Sequence, residues 1–359
     1  MSEAVMISRV ENGLGCLTLN RPKALHSLNF EMCELMVEAL ESWRHDDSVK
    51  AIWIDHMADT RGFCAGGDIR LLQESGQSDG VAGRAFFHLE YQLNHMLHSY
   101  EDLYAKPVIA VIDGVTMGGG VGISVHGRYR VATENTTFAM PETGIGLLPD
   151  VGGGWFLPRL EGEIGTWLAM TGARLKTADT LTAGVATHYA DSLKIAEMKQ
   201  QVQAALAAGD DLEAVMSQDR GDPGAVKLLN EVNIAEINAL FSGDCAEDIF
   251  HRLEGSDSEF ASNQLTSLKT KSPLTVKLAL RQIREGGRVG SFAENMEMEY
   301  RLASRALVNP EFHEGVRAVI LDKDNAPQWQ HATISDVDDR LIDTYFEPFS
   351  SGESWKPRV

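Results

Sequence analysis

The alternation of apolar and polar positions predicts a β-hairpin at the start of the chain. Two strand-like runs, residues 5–10 and 15–19, are separated by a short stretch that contains Asn12 and Gly13. Asn-Gly is a pair that two-residue hairpin loops favour, because both residues tolerate the left-handed backbone conformation that such loops need.

Helical and strand patterns then alternate along the chain. Apolar residues keep helical spacing over residues 35–43, after Asn29 in the position of an N-cap, and residues 49–55 predict a strand. A second helical pattern covers residues 82–104, and the apolar run at residues 107–112 is typical of a buried strand. This alternation predicts an α/β fold.

The second half of the chain is predicted to be mostly helical, from residue 191 onward. A polar stretch over residues 209–224 ends in the turn signal Gly-Asp-Pro-Gly, and we place a loose boundary there. The sequence thus predicts a core over residues 1–208 and a mainly helical C-terminal region over residues 225–359 that covers the core.

A glycine-rich turn follows the buried strand. Residues 117–120, Met-Gly-Gly-Gly, precede residues 121–125, which predict the start of a buried helix. Glycines let another molecule approach the backbone N–H groups, which lack intrahelical partners at a helix N-terminus and lie at the positive end of its dipole. Such a turn is suited to holding an oxyanion.

Two acidic residues each follow a proline shortly after this turn. Glu142 lies in Pro-Glu-Thr-Gly and Asp150 in Pro-Asp-Val-Gly-Gly-Gly, and neither belongs to a run of charges. A lone carboxylate in a partly apolar setting can serve acid–base or nucleophilic catalysis. Asp150 would equally suit the N-cap of a helix that begins near Val151, a role that does not exclude catalysis.

Composition and charge limit the classes of partner. A chain of 359 residues that is 43% hydrophobic can bury a large core and has room for roughly two domains. Its formal net charge of -20 argues against a nucleic acid or an anionic membrane held by a general basic surface. An anionic ligand must therefore meet a local basic patch, for which we suggest Arg21, Lys23, Arg61 and Arg70.

Cysteine usage and the N-terminal residues bear on location. The four cysteines are far apart and form no C-x-x-C pair, so neither a disulfide framework nor a zinc site is indicated. The N-terminal residues lack the pattern of a secretory signal or transit peptide, and no apolar run reaches transmembrane length. We therefore expect a cytoplasmic protein.

Three segments, in this order and spacing, resemble the crotonase (enoyl-CoA hydratase/isomerase) superfamily: residues 61–69 (RGFCAGGDI), 117–122 (MGGGVG) and 141–154 (PETGIGLLPDVGGG). They are most similar to its branch that hydrolyses 3-hydroxyisobutyryl-CoA, a thioester of valine degradation. The resemblance implies an α/β spiral of ββα units with a helical C-terminal region, and an acyl-CoA substrate. It also implies an oxyanion hole in which the backbone N–H groups of Gly67 and Gly119 polarise the thioester carbonyl.

The resemblance further separates hydrolysis from hydration. Hydratases of this superfamily use a pair of glutamates, and the first of these positions is Gly122 here. Glu142 stands at the second position, Asp150 matches the extra acid of the hydrolase branch, and Glu90 matches an acid of its acyl pocket. We expect hydrolysis of a short branched 3-hydroxyacyl-CoA to the free acid and CoA. The alternative is an enoyl-CoA hydratase or isomerase that acts on a short acyl-CoA.

These residue types suit thioester hydrolysis. Two N–H donors would stabilise the tetrahedral oxyanion, and Glu142 would either activate water or attack the thioester, a choice that the residues leave open. Asp150 would orient the substrate hydroxyl or protonate the leaving thiolate. No metal or cofactor is required, since coenzyme A is part of the substrate. Crotonase relatives often form trimers or hexamers, so a homo-oligomer is one expectation and a C-terminal region folded on its own core is another.

Three alternatives involve other residues. Ser124 lies in Gly-Ile-Ser-Val-His, which misses the final glycine of the G-x-S-x-G nucleophile motif. Cys64 precedes the first candidate oxyanion glycine, but a small buried thiol is commoner than a nucleophile. His88, His95 and His98 share one broad face of the helix at residues 82–104 without matching an established metal-ligand pattern.

Overall fold

A computed structural model describes residues 4–57, 60–349 and 354–358. The strands are β1 (Met6–Glu11), β2 (Leu14–Leu19), β3 (Ala51–His56), β4 (Gly62–Cys64), β5 (Val108–Ile112), β6 (Val115–Met117), β7 (Tyr129–Ala132), β8 (Thr137–Ala139), β9 (Leu175–Lys176) and β10 (His188–Tyr189). The first nine α-helices are α1 (Phe30–Trp43), α2 (Ile69–Gly76), α3 (Val81–Tyr104), α4 (Gly119–Gly122), α5 (Gly153–Phe156), α6 (Ile164–Thr171), α7 (Thr177–Thr182), α8 (Ile195–Ala208) and α9 (Leu212–Met216).

Helices dominate the described residues that follow α9. They are α10 (Glu231–Leu240), α11 (Ala246–Glu254), α12 (Glu259–Leu268), α13 (Pro273–Gly286), α14 (Phe292–Leu307), α15 (Pro310–Val316) and α16 (Asp339–Phe346). A π-helical segment spans Arg317–Leu321, and short 3₁₀ turns span Pro22–Ala24, Glu142–Ile145, Leu157–Arg159, Ser192–Lys194 and Ile334–Asp336. This mixed α/β architecture with a helical C-terminal region confirms the predicted fold class.

The chain divides into two compact units, which are described separately. The first comprises the described parts of Met1–Gly67, Gln92–Phe138 and Arg174–Leu228. The second comprises those of Asp68–Tyr91, Ala139–Ala173 and Leu229–Val359. The boundary that the sequence suggests between residues 208 and 225 stays a prediction.

The first unit contains a six-stranded sheet in the order β1-β2-β3-β5-β7-β10. β1 pairs with β2 in antiparallel register, and the remaining neighbours are parallel. The predicted hairpin is confirmed, since Asn12 and Gly13 form its two-residue loop with φ values of 48° and 91°. Every residue of β2 and β5 is buried, as expected for inner strands that are covered on both faces.

One face of this sheet packs against helices α8 and α9. Alternate residues of β2, β3, β5 and β7 point to the same side and form a hydrophobic core with the apolar faces of the two helices. Its members are Leu14, Cys16, Ala51, Trp53, Ile109, Val111, Tyr129, Val131, Ala190, Met198, Val202, Ala205, Leu212 and Met216.

The glycine-rich turn lies beside a second sheet, of order β4-β6-β8-β9. The helix predicted to start over residues 121–125 is instead the single turn α4, which begins at Gly119 and ends at Gly122. Three of its four residues are glycine, a poor helix former, which explains its shortness. A single turn carries little of a helix dipole, so its value as an anion site rests on its unpaired N–H groups.

The second unit is built mainly from helices. α13 packs against α5, α6 and α16, and α14 packs against α2, α5 and α16. α12 and α13 are separate helices, because Pro273 disfavours a helical conformation at Ser272. Ser272 instead caps α13, with its side chain accepting from the N–H of Thr275. Among the described residues, no helix combines the length and apolar character that crossing a bilayer demands.

The Asn29 cap of α1 gives a stability prediction. The Asn29 side chain accepts a hydrogen bond of 2.9 Å from the N–H of Met32, as predicted for an N-cap. Asn29→Ala should lower the free energy of unfolding by about 1 kcal/mol, because that N–H loses its partner. Urea denaturation measures the difference. Asn29→Asp is the control and should retain stability, so an equal loss in both variants would contradict the capping role.

Candidate active site

Two backbone segments that carry the predicted oxyanion glycines meet within the first unit. The N–H of Leu28 donates to the carbonyl of Gly66 at 2.8 Å, which fixes the segment leading into Gly67. A Cβ atom on Gly66 would lie 3.9 Å from the backbone nitrogen of Gly119, and its φ of 113° also favours glycine. Neither the N–H of Gly67 nor that of Gly119 donates a hydrogen bond to a described residue.

Local packing accounts for the presence of the two alternative nucleophiles of this unit, Cys64 and Ser124. The Cys64 thiol is buried and lies 3.7 Å from the carbonyl oxygen of Gly66, and a side chain on Gly120 would collide with the Cys64 backbone. Ser124 is buried, and its hydroxyl donates to the carbonyl of Gly120 at 2.8 Å. A hydroxyl and a thiol bound to backbone carbonyls in this way stabilise the turn and favour structural roles for both residues.

Four carboxyl groups are buried in the second unit. Glu90 lies on α3, Glu142 in the 3₁₀ turn Glu142–Ile145, Asp150 in the loop before α5, and Glu299 on α14. None is more than 5% exposed. Burial raises the pKa of each of the other three, and the charge of Asp150 raises it further, so Asp150 is the member that links the group. No Lys or Arg side chain within the described ranges pairs with any of them.

Asp150 is held by a tyrosine rather than by a helix. The Tyr91 hydroxyl donates to Asp150 Oδ2 at 2.7 Å. Burial raises the pKa of Asp150 to about 6, although the Tyr91 hydrogen bond opposes this shift. The N-capping alternative is wrong, because α5 begins at Gly153, its N-cap is Gly152, and no side chain caps it.

Glu142 and Glu90 each present an oxygen without a partner. Glu142 Oε2 and Glu90 Oε1 are buried and accept no hydrogen bond from any described residue. Burial, and then the charge of Asp150, raises the pKa of both groups well above the ordinary glutamate value. An unsatisfied buried oxygen costs free energy, which points to a group that binds a ligand.

Glu299 and Tyr91 complete this acidic cluster and were not predicted from the sequence. Glu299 accepts hydrogen bonds of 2.7 Å from the N–H groups of both Gly152 and Gly154. Burial raises its pKa to about 8, although the hydrogen bonds from Gly152, Asn295 and Gly154 oppose this shift and favour the ionised carboxylate. Tyr91 adjoins Glu90 in sequence and could have been noticed there. Glu299 follows Asp150 by about 150 residues, so no local pattern connects them.

The other predicted candidates are not members of this cluster. The His88 ring packs edge-on against Tyr300 and the His98 ring against His126, each at a centroid distance of 5.9 Å. Across the described residues, no three His, Cys, Asp or Glu side chains are grouped as metal ligands. Of the suggested phosphate-binding residues, Arg21, Lys23 and Arg61 belong to the first unit and Arg70 to the second, and their role stays a prediction.

A charged cavity of about 470 Å³ in the second unit has a different character. Helices α11, α13 and α16 supply most of its lining. Its basic residues are largely neutralised, since Lys277 pairs with Glu247 at 2.6 Å and Arg281 with Asp343 at 2.5 Å. It contains none of the four buried carboxyl groups, so the acidic cluster is the better candidate for chemistry.

The chain is similar to known proteins over nearly its whole length. The family model for enoyl-CoA hydratase/isomerase matches residues 14–346. The mitochondrial 3-hydroxyisobutyryl-CoA hydrolase of Danio rerio is 44% identical over 92% of this chain and 86% of its own length. The protein of that name from Gallus gallus is 41% identical over 98% of this chain and 91% of its own. A crystal structure of a carnitinyl-CoA dehydratase from Mycobacterium thermoresistibile superposes with a TM-score of 0.88 at 36% identity, covering 97% of both chains.

The expectation of a cytoplasmic location is wrong. Both of these hydrolases are named as mitochondrial proteins. The expectation relied on the absence of a disulfide framework and of the pattern of a signal or transit peptide, and the structure shows Cys16, Cys33 and Cys64 as buried thiols outside any described disulfide. The lack of a disulfide framework does not distinguish one reducing compartment from another.

The resemblance drawn from three short motifs is thus confirmed along nearly the whole chain. The matched residues run from β2 to the last residue of α16, and the solved relative shares the same fold at 36% identity. The chain belongs to the enoyl-CoA hydratase/isomerase, or crotonase, family.

Proposed function

We propose that the chain hydrolyses the thioester of a short branched 3-hydroxyacyl-CoA, of the 3-hydroxyisobutyryl-CoA type, to the free acid and coenzyme A. The observation that carries the proposal is the buried cluster of Glu90, Glu142 and Asp150, in a chain 41–44% identical to hydrolases of that substrate. Such a substrate would place the enzyme in valine degradation. Coenzyme A arrives as part of the substrate, so the proposed reaction needs no further cofactor.

The backbone N–H groups of Gly67 and Gly119 would polarise the thioester carbonyl. Both lack an acceptor among the described residues, so they are available to an incoming oxygen. Donors already fixed in place stabilise the tetrahedral oxyanion without reorganisation, and one such donor contributes about 3 kcal/mol in a well-studied protease. The small glycines leave room for this approach.

Glu142 would drive the attack on the carbonyl carbon. As a general base, it takes a proton from a water molecule whose oxygen then attacks; as a nucleophile, its own oxygen attacks and forms an anhydride that water hydrolyses. In both cases the C–S bond breaks and the CoA thiolate takes up a proton. Either role needs the ionised carboxylate, whose basicity is increased by its raised pKa.

Asp150 and Glu90 would act on the acyl group. Glu90 carries a buried oxygen without a described partner, which can accept a hydrogen bond from a hydroxyl group or, when protonated, donate one. Asp150 has one oxygen held by Tyr91 and would use the other to orient the substrate hydroxyl or to protonate the thiolate. A 3-hydroxyl group gives these acids a polar partner that an unsubstituted acyl chain lacks.

Hydration of an enoyl-CoA is the second candidate, favoured by the solved relative that is named a dehydratase. Family hydratases use two glutamates, and the position of the first is occupied by Gly122 in α4. Without a side chain there, one of the two acid–base groups is missing. Hydrolysis, which needs a single attacking carboxylate, therefore suits this chain better. The expectation of a homo-oligomer stays a prediction.

Glu142→Gln tests the attacking carboxylate. The amide keeps the size of the side chain but is neither a base nor a nucleophile, so kcat should fall by about 10²–10⁴-fold. Free thiol release from 3-hydroxyisobutyryl-CoA measures turnover. Calorimetry with a non-hydrolysable thioether analogue should show binding close to that of the wild type. Turnover within about tenfold of the wild type would rule out this role for Glu142.

Asp150→Asn should shift the pH profile. The Asp150 charge raises the pKa of Glu142, so removing it lets Glu142 ionise at a lower pH. The acidic limb of kcat/KM should therefore move to lower pH, whatever the loss in maximal rate. Asp179→Asn is the control, because Asp179 is also buried but belongs to the first unit, and its profile should not move. An unshifted limb, or a shift to higher pH, would contradict the proposed coupling.

A further inference from the structure

The loop that carries Asp150 is tied to α14 by one side chain. Glu299 Oε2 accepts from the N–H of Gly152, and Glu299 Oε1 accepts from the N–H of Gly154, both at 2.7 Å. Gln282 on α13 holds the start of the loop, with Nε2 donating to the carbonyl of Pro149 at 2.5 Å. The backbone on both sides of Asp150 is therefore fixed by buried side chains of the same unit.

This loop adopts a backbone conformation that is unfavourable for one of its residues. Val151 has a φ of 51°, in the left-handed region that β-branched residues avoid. It is followed by Gly152 at a φ of 91°, where glycine is tolerated. Such a backbone persists only when its surroundings impose it, and strained residues of this kind cluster at functional sites.

Glu299 is the group that can impose it. Besides the two loop N–H groups, it accepts hydrogen bonds from Asn295 Nδ2 at 2.8 Å and Gln282 Nε2 at 3.3 Å. Four donors converge on one carboxylate, an arrangement that suits an acceptor-only group. A side chain on Gly154 would lie 2.6 Å from Asn295 Oδ1, so the loop also requires glycine to approach this closely.

We propose that Glu299 is a positioning residue for Asp150: its carboxylate holds the strained Val151–Gly154 turn and so aims the Asp150 side chain at the substrate. This inference rests on the proposed function and adds a residue to it. Glu299 contacts the loop through backbone N–H groups, and it acts on the reaction through Asp150. Tyr91 then fixes the Asp150 carboxylate from the other side by its hydrogen bond.

Glutamine cannot replace Glu299 in this role. An amide offers one acceptor oxygen, and its NH₂ group would face one of the two loop N–H donors. Glu299→Gln therefore keeps the volume of the side chain but releases one end of the turn. Gln282→Met is a milder variant, because it removes the bond to Pro149 and the long 3.3 Å bond to Glu299 but keeps the carboxylate and its two bonds to the loop N–H groups.

A double-mutant cycle tests the proposal. Glu299→Gln should lower kcat/KM for 3-hydroxyisobutyryl-CoA by about tenfold or more in the wild-type background. In the Asp150→Asn background it should cost less than about threefold, because the residue it positions is already disabled. Gln282→Met should show the same pattern with a smaller loss, and it decides the matter if Glu299→Gln does not fold.

Asp179→Asn is the matched control. Asp179 is also buried and also accepts hydrogen bonds from two backbone N–H groups of a distant segment, those of Lys227 and Leu228. Substitution of a merely structural carboxylate should lower the free energy of unfolding and leave kcat/KM within about twofold in both backgrounds. Equal fold losses for Glu299→Gln with and without Asp150 would overturn the positioning role.

Hydrogen exchange tests whether Glu299 holds the loop, without any measurement of activity. Deuterium uptake by the peptide that contains residues 149–154 should be faster in Glu299→Gln than in the wild type, with the Asp179→Asn protein unchanged in that peptide. Unchanged uptake would overturn the inference whether or not the protein hydrolyses a thioester. If the wild-type protein releases no thiol, the proposed function is wrong. Hydrogen exchange alone then tests whether Glu299 holds the loop.

Discussion

The burial of several carboxyl groups together, without a described cation beside them, is the constraint that governs the candidate site. Transferring a charged group from water to a protein interior is costly, and like charges within one site disfavour each other further. The raised pKa values of Glu90, Glu142, Asp150 and Glu299 are the expression of both effects. Such a cluster holds protons up to higher pH than free carboxyl groups do, which is useful to an enzyme that must move protons near neutrality.

The surrounding fold satisfies these carboxyl groups unequally, and the inequality has a chemical meaning. Glu299 receives four N–H donors, and Asp150 receives one tyrosine hydroxyl. Glu142 and Glu90 each keep an oxygen that no described residue contacts. The satisfied groups shape the site, and the unsatisfied oxygens keep the capacity to accept a hydrogen bond from a water molecule or an acyl group. Glu299, which receives the most donors, is thereby set apart from the three carboxyl groups that are proposed to act on the substrate.

Local features of the fold followed from the sequence because short-range physics decides them. The Asn12-Gly13 hairpin and the Asn29 cap depend on residues within a few positions of each other. The predicted extent of α4 was wrong. The apolar residues after Gly120 suggested a longer helix, which the glycines of α4 do not sustain. Glu142 and Asp150 were predicted from motifs. Glu299 was missed, because its role depends on how α14 packs against a loop that is distant in sequence.

The products formed from two thioesters test the proposed hydrolysis most directly. The wild-type protein is incubated separately with 3-hydroxyisobutyryl-CoA and with crotonyl-CoA, and free thiol, unsaturated thioester and hydroxyacyl thioester are quantified by chromatography. A hydrolase that relies on Glu142 and lacks a carboxylate at Gly122 should release thiol from the first substrate and add little water to the second. Rapid hydration of crotonyl-CoA without thiol release from the hydroxylated substrate would contradict it.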